Sequence, residues 1–149
     1  IKSALAPATQ TMPDPVETAR IRLSQPLKLP DKLKYKDTNG KIIFIDDLTS
    51  EGPVLINLWA SWCAPCILEL GEFGAANKRF SEAGMKVLAL SVDGLSDSQD
   101  FQPERIKSIV KDSGYVGMAG FADERIVSVL NALIMETILR IYAKPSWRL

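Results

Sequence analysis

Histidine is missing from this sequence altogether. That absence removes Ser-His-Asp and Cys-His catalysis and every histidine-ligated metal site. Cysteine is nearly missing: Cys63 and Cys66 are the whole complement in 149 residues. Two thiolates are too few for a four-cysteine zinc ribbon or an iron–sulfur cluster. Ile67, directly after Cys66, excludes the C-x-x-C-H pattern of haem attachment. Net charge is missing too, since eighteen basic residues balance eighteen acidic ones. No global field draws the chain to nucleic acid or an anionic membrane, and no nucleic-acid partner is expected. No apolar run approaches the roughly 18–20 residues that span a bilayer. Residues 1–12 lack the apolar core of a signal peptide. The chain opens on Ile1 rather than Met, which leaves room for a leader upstream.

What is present begins with proline. The first thirty residues hold five of the nine, Pro7, Pro13, Pro15, Pro26 and Pro30. Proline removes backbone donors and favours extended chain, so residues 1–28 read as a linker or a surface-hugging arm. Its short apolar-periodic piece from Val16 to Leu23 could dock on the domain formed by residues 29–149.

From Leu33 onward the pattern is that of an α/β domain. Leu33–Lys36 and Lys41–Ile45, separated by Asp37-Thr38-Asn39-Gly40, predict a β-hairpin, with Asn39 and Gly40 both accepting positive φ. Val54–Ala60 is apolar on both faces and predicts a buried central strand. Residues 64–83 turn helical, with Ile67, Leu68, Leu70, Phe73, Ala76 and Phe80 on one face and Gly84 as the stop. Lys86–Val92 predicts a second buried strand ended by Asp93-Gly94. Pro103 then opens a helix through Asp112, closed by Gly114. Asp123 caps a last helix reaching about Tyr142, whose apolar positions leave only a narrow polar stripe. That helix is either well buried or faces a partner. Strands alternating with helices imply parallel pairing at the centre.

For a lone C-x-x-C, what remains is redox chemistry or two cysteines of no special role. The setting favours redox chemistry. Trp62-Cys63-Ala64-Pro65-Cys66 lies where the strand passes into the helix, so Cys63 falls near the helix N-terminus. Unpaired N–H groups and the macrodipole there favour an anion and raise the thiolate fraction. A second thiol one turn on can break the mixed disulfide that the first one forms. Pro65 fits the first turn, where its missing N–H costs little. Trp62 would shield one side of Cys63 and offer a flat apolar contact to a substrate chain.

The segment Asn57–Cys66, with Glu69 after it and the Leu-Ser-Val-Asp strand end at 90–93, resembles the thioredoxin superfamily and, within it, the TlpA and ResA branch of extracytoplasmic thiol–disulfide oxidoreductases. The resemblance runs from about Leu29 to Leu149 and includes the N-terminal hairpin. It implies a thioredoxin-like fold with Cys63 as the exposed nucleophile and Cys66 as the buried resolving thiol. Position 57, where cytosolic thioredoxins carry a buried aspartate, holds Asn57. The resemblance therefore offers Glu69 as proton acceptor, beside the plainer reading of a solvated helical carboxylate. Gly71 stands where a helix-kinking proline is common. Pro145, in Lys144–Leu149, corresponds to the superfamily's cis-proline facing the disulfide, or else merely terminates a helix. The final strand and helix of the fold would then lie beyond Leu149, leaving an edge open to self-association.

These residues support a reductase, since no histidine between the cysteines stabilises the thiolate further. A peroxiredoxin pattern fails at Ala60 and Ile56. The alternative from another class is a non-catalytic thioredoxin-fold binding or assembly module of a larger secreted or membrane-tethered protein. The implied partners are a protein disulfide or dithiol substrate and an upstream thiol reductant. No metal or organic cofactor is indicated. The resemblance places such proteins outside the cytoplasmic membrane.

Overall fold

A hairpin and three further strands build the sheet. The computed structural model describes residues 29–95 and 101–142, with side chains as far as residue 134. The sheet belongs to a compact unit spanning Leu29–Ala132; a second unit takes in Ile1–Lys28 and Leu133–Leu149. Of that second unit only the end of the last helix is described, so the proline-rich arm and Lys144–Leu149, with Pro145, lie outside the described residues.

The hairpin forms as expected, with β1 at Lys34–Asp37 and β2 at Ile42–Phe44 in antiparallel register. Its turn differs from expectation. Gly40 alone takes positive φ, at 86°, while Asn39 does not. The Asp37 carboxylate accepts the backbone N–H groups of Asn39 and Lys41 at 2.9 and 2.8 Å, and the Asp37 carbonyl accepts that of Gly40. A side-chain-capped turn ending in a left-handed glycine replaces the two-residue turn, because Asp37 supplies the acceptor that tightens it. A short helix, α1 (Ile45–Thr49), follows at once.

Next come β3 (Val54–Trp59), α2 (Ala64–Glu82), β4 (Lys86–Ser91), a single 3-10 turn (Asp93–Leu95), α3 (Pro103–Asp112), β5 (Met118–Phe121) and α4 (Glu124–Tyr142). The described sheet runs β2-β1-β5-β4-β3, with β3, β4 and β5 parallel. This corrects the reading of β3 as central. Among the described residues β3 is an edge strand, and β4 is the one paired on both sides. Leu88 and Leu90 of β4 pack toward Tyr35, Ile45 and Ile126, while Val87 and Ala89 pack toward Trp59, Leu70 and Ile106. A strand covered on both faces is apolar between its ends, as this one is from Val87 to Leu90.

β5 was not anticipated at all. Met-Ala-Gly-Phe carries little β-forming character, yet β5 bridges the two halves of the sheet. It pairs parallel with β4 and antiparallel with β1. A Cβ at Gly120 would lie 2.5 Å from the Lys36 carbonyl oxygen and 2.6 Å from the Tyr35 ring, so only glycine admits β1 at that distance.

The helices follow the sequence more closely. Gly84 and Gly114 take positive φ just past α2 and α3. The Asp123 carboxylate accepts the Ile126 N–H at 2.8 Å, as a cap should. Leu68 is the exception on α2, 72% exposed and off the buried face. On α4, Ile126 is fully buried, and Val127, Val129 and Leu130 pack around it, whereas Ile134 is 56% exposed. α2 runs unbroken through Gly71, from Ala64 to Glu82. With Gly74, Gly71 lets α2 pass close to the backbone of Ser113 and Gly114.

Candidate active site

Because β3, β4 and β5 are parallel, their C-terminal ends Trp59, Ser91 and Phe121 share one edge of the sheet. Backbone bonds continue past the strands there. Val92 N–H donates to the Trp59 carbonyl and Ala122 N–H to that of Ser91, both at 2.9 Å. From this edge the chain needs only residues 60–63 to reach α2. Cys63 N–H donates to the Ala60 carbonyl at 3.0 Å, closing a tight turn.

Cys63 is the N-cap residue of α2, and its carbonyl accepts the N–H groups of Cys66 and Ile67 at 3.0 and 3.2 Å. Its sulfur thus stands at the end of a 19-residue helix, where partial positive charge favours a thiolate. Pro65 occupies the first turn. Cys63 and Cys66 are joined as a disulfide with their Cα atoms 5.3 Å apart. Both residues are half-buried, and Cys66 packs against the cluster of Trp59 and Leu70. Trp62 is 79% exposed beside them, with Ala64 and Pro65 also exposed. The arrangement offers an accessible dithiol or disulfide next to a flat apolar side chain.

Glu69 is exposed one turn along α2 from Cys66. Asn57 lies two residues before Trp59 on the same face of β3. Its Nδ2 and the Trp59 Nε1 are buried without a hydrogen-bond partner among the described residues. An uncharged amide at 57 avoids placing an ionised group beneath the helix. Pro145 lies outside the described residues.

Sequence reading missed a polar cluster at this edge. The Asp93 carboxylate accepts the backbone N–H of Ser61, with Oδ2 at 2.9 Å and Oδ1 at 3.2 Å, and the Ser61 hydroxyl through Oδ1. The hydroxyl of the fully buried Ser91 donates to Oδ2 at 2.6 Å and accepts the Asp93 N–H at 3.2 Å. Only a serine in the loop and a Ser-x-Asp strand end betray it in one dimension.

Elsewhere, a cavity of about 690 Å³ opens between the hairpin and α3, lined among others by Lys34, Lys36, Ile42, Phe101, Lys107 and Phe121; the dithiol is outside it. Among the described residues no cluster of His, Cys, Asp or Glu could hold a metal ion, and no helix is long and apolar enough to cross a membrane.

Comparison with known proteins agrees with the site. The AhpC/TSA family model matches residues 27–117. Thiol-disulfide oxidoreductase ResA of Bacillus subtilis is 39% identical over 57 residues, covering 38% of this chain and 31% of that protein. Thioredoxin Asp f 28 of Aspergillus fumigatus is 31% identical over 62 residues, covering 38% of this chain and 56% of that protein. The chain thus spans about a third of the Bacillus relative and just over half of the Aspergillus one. Among solved structures, a thioredoxin family thiol:disulfide interchange protein from Chlorobium tepidum superposes with TM-score 0.56 at 18% identity, over 73% of this chain and 70% of that one. A secreted Mycobacterium tuberculosis disulfide oxidoreductase gives 0.55 at 14%, over 68% and 69%. These likenesses establish the thioredoxin-like fold.

Proposed function

We propose that this chain, which belongs to the AhpC/TSA family, is a thiol–disulfide oxidoreductase that reduces protein disulfides through Cys63 and Cys66. The observation that carries this is the redox-active pair itself, set at a helix N-terminus on a four-residue loop beside an exposed tryptophan. In the reduced protein the Cys63 thiolate attacks one sulfur of a substrate disulfide. A Cys63–substrate bond forms, and the other substrate sulfur leaves as a thiolate, which takes up a proton. Cys66 loses its proton and attacks the Cys63 sulfur, expelling the second substrate thiolate and closing the disulfide seen here. Two electrons pass from the dithiol to the substrate. A dithiol reductant returns them by the reverse exchange.

Glu69 is our candidate acceptor for the Cys66 proton, directly or through water. Trp62 supplies the apolar contact for the substrate chain, with Pro145 as a second contact by the same resemblance. That resemblance also supports a site outside the cytoplasmic membrane.

The roles separate by trapping. Cys66→Ser should accumulate a mixed disulfide with a disulfide substrate, and Cys63→Ser should lower turnover by at least about three orders of magnitude without trapping anything. Trapping through Cys66 instead reverses the assignment. Glu69→Gln should slow resolution and shift its pH dependence; overlapping profiles would return Glu69 to the solvated surface. A wild-type protein with no turnover of any disulfide substrate would favour the binding-module alternative.

A further inference from the structure

The loop that carries Trp62 and Cys63 has little of its own to hold it. Residues 60–63 make one internal backbone bond, from Cys63 N–H to the Ala60 carbonyl. Its middle is held from outside, by a carboxylate thirty-two positions away in sequence. Asp93 takes both the backbone N–H and the hydroxyl of Ser61, so it restrains that residue in position and in rotation. The carboxylate is itself anchored, because Ser91, fully buried at the end of β4, donates to one oxygen and accepts the Asp93 N–H. The path is continuous: buried end of β4, Ser91, Asp93, Ser61, and then the nucleophile two residues on.

We infer that Asp93 is a positioning residue for the dithiol, holding the 60–63 loop through Ser61 so that Cys63 stays over the N-terminus of α2. The inference rests on the proposed redox role of Cys63. A sulfur over that helix end gains stabilisation of its anion only while it stays there, since the helix field falls off within one turn. A loop free to sway spends part of its time with the sulfur displaced. The thiolate then loses ground to the thiol, and attack slows. Charge-assisted bonds such as these are strong enough to hold a short loop against that motion.

Ser61→Ala is the cleanest probe, because it removes one bond of the clamp and leaves the Asp93 charge in place. The reading is the pH profile of Cys63 alkylation by iodoacetamide in the reduced protein, with thermal unfolding in parallel. We expect the midpoint of alkylation to move to higher pH and the rate at pH 7 to fall about fivefold, the size of one such bond. Ser61→Thr, which keeps the hydroxyl, should restore the wild-type profile. In an Asp93→Asn background, Ser61→Ala should change the rate much less than it does alone, because the two groups act as a unit. A Ser61→Ala profile that overlays the wild type overturns the inference, as do effects of the two substitutions that simply add. Alkylation needs no disulfide turnover, so failure of the oxidoreductase reading would appear in wild-type turnover, and failure of the clamp in the Ser61→Ala profile.

Discussion

The parallel half of the sheet and its hairpin half are built on opposite terms. In the parallel half, β4 is buried from Val87 through Ser91 and matched to β3 over six residue pairs. In the hairpin, Tyr35 is buried between exposed Lys34 and Lys36, while Ile42 and Phe44 of β2 are 53% and 40% exposed. The parallel half sets its strand ends beside a helix N-terminus, where a thiolate can be held. The hairpin brings no reacting group to that edge. Its part is to pair with the far side of β5, which would otherwise be an open edge. Position and chemistry are thus divided between the halves, and Gly120 is where they meet.

The largest expected effect breaks that joint. Gly120→Val would drive a side chain into the Lys36 carbonyl and the Tyr35 ring. We expect a loss of about 3 kcal/mol or more, read as the shift in a urea unfolding curve. Amide exchange should report the damage unevenly, with Tyr35 and Lys36 losing protection before Leu88 and Leu90. Uniform loss across both halves would mean that the hairpin and the parallel strands form one cooperative unit and that the division is only descriptive.

The same division governs how much could be read from sequence. Val54–Trp59 and Lys86–Ser91 announce themselves because their runs of apolar residues fill both faces of the strand, with few polar positions among them. The hairpin announces itself through its turn, although its φ pattern differed because Asp37 caps it from the side. The placing of Cys63 and Cys66 at a helix N-terminus was legible because their spacing along one helix turn is local. β5 was not legible: its need for Gly120 arises from a strand more than eighty residues earlier in the chain. The order of the sheet, and hence the edge position of β3, depends on that same pairing. Asp93 was missed for a like reason, since its partner Ser61 lies on another strand's loop. What the sequence hides here is contact between distant segments.

A medium effect sharpens the parallel half alone. The Tyr115 hydroxyl lies 2.8 Å from the Val87 carbonyl and 3.0 Å from that of Met118 and shares its one proton between them, tying β4 to the start of β5. Tyr115→Phe should cost about 1–2 kcal/mol, with hairpin protection following only the global change. Burial pushes this phenol above its ordinary value of 10.0. Its neutral form is therefore the one the fold favours, a contribution fully present below pH 10 and lost as pH rises toward the folded value. Wild type and Tyr115→Phe should thus converge in stability in strong alkali. A constant gap across that range would show that the phenol is not held neutral by the fold.

The smallest effect lies at the opposite end of the parallel strands from the dithiol. Lys86 opens β4, and its ammonium bonds the Glu51 carboxylate and, at 3.3 Å, the Leu48 carbonyl. The Lys86 hydrogen bond, and then its charge, hold the Glu51 carboxyl below its ordinary value of 4.5. Because the folded value is depressed, the contribution is present above pH 4.5 and fades as pH falls through the folded value. Glu51 is exposed, so water and salt screen the pair, and Glu51→Gln should destabilise less than Tyr115→Phe. The difference from wild type should shrink both in strong salt and below the carboxylate range. Cys63 alkylation should not change, since nothing in the pair reaches the dithiol edge. An altered alkylation profile in Glu51→Gln would mean that the two ends of β3 and β4 are coupled through the strands, and that the dithiol draws on the whole parallel half rather than on its C-terminal edge.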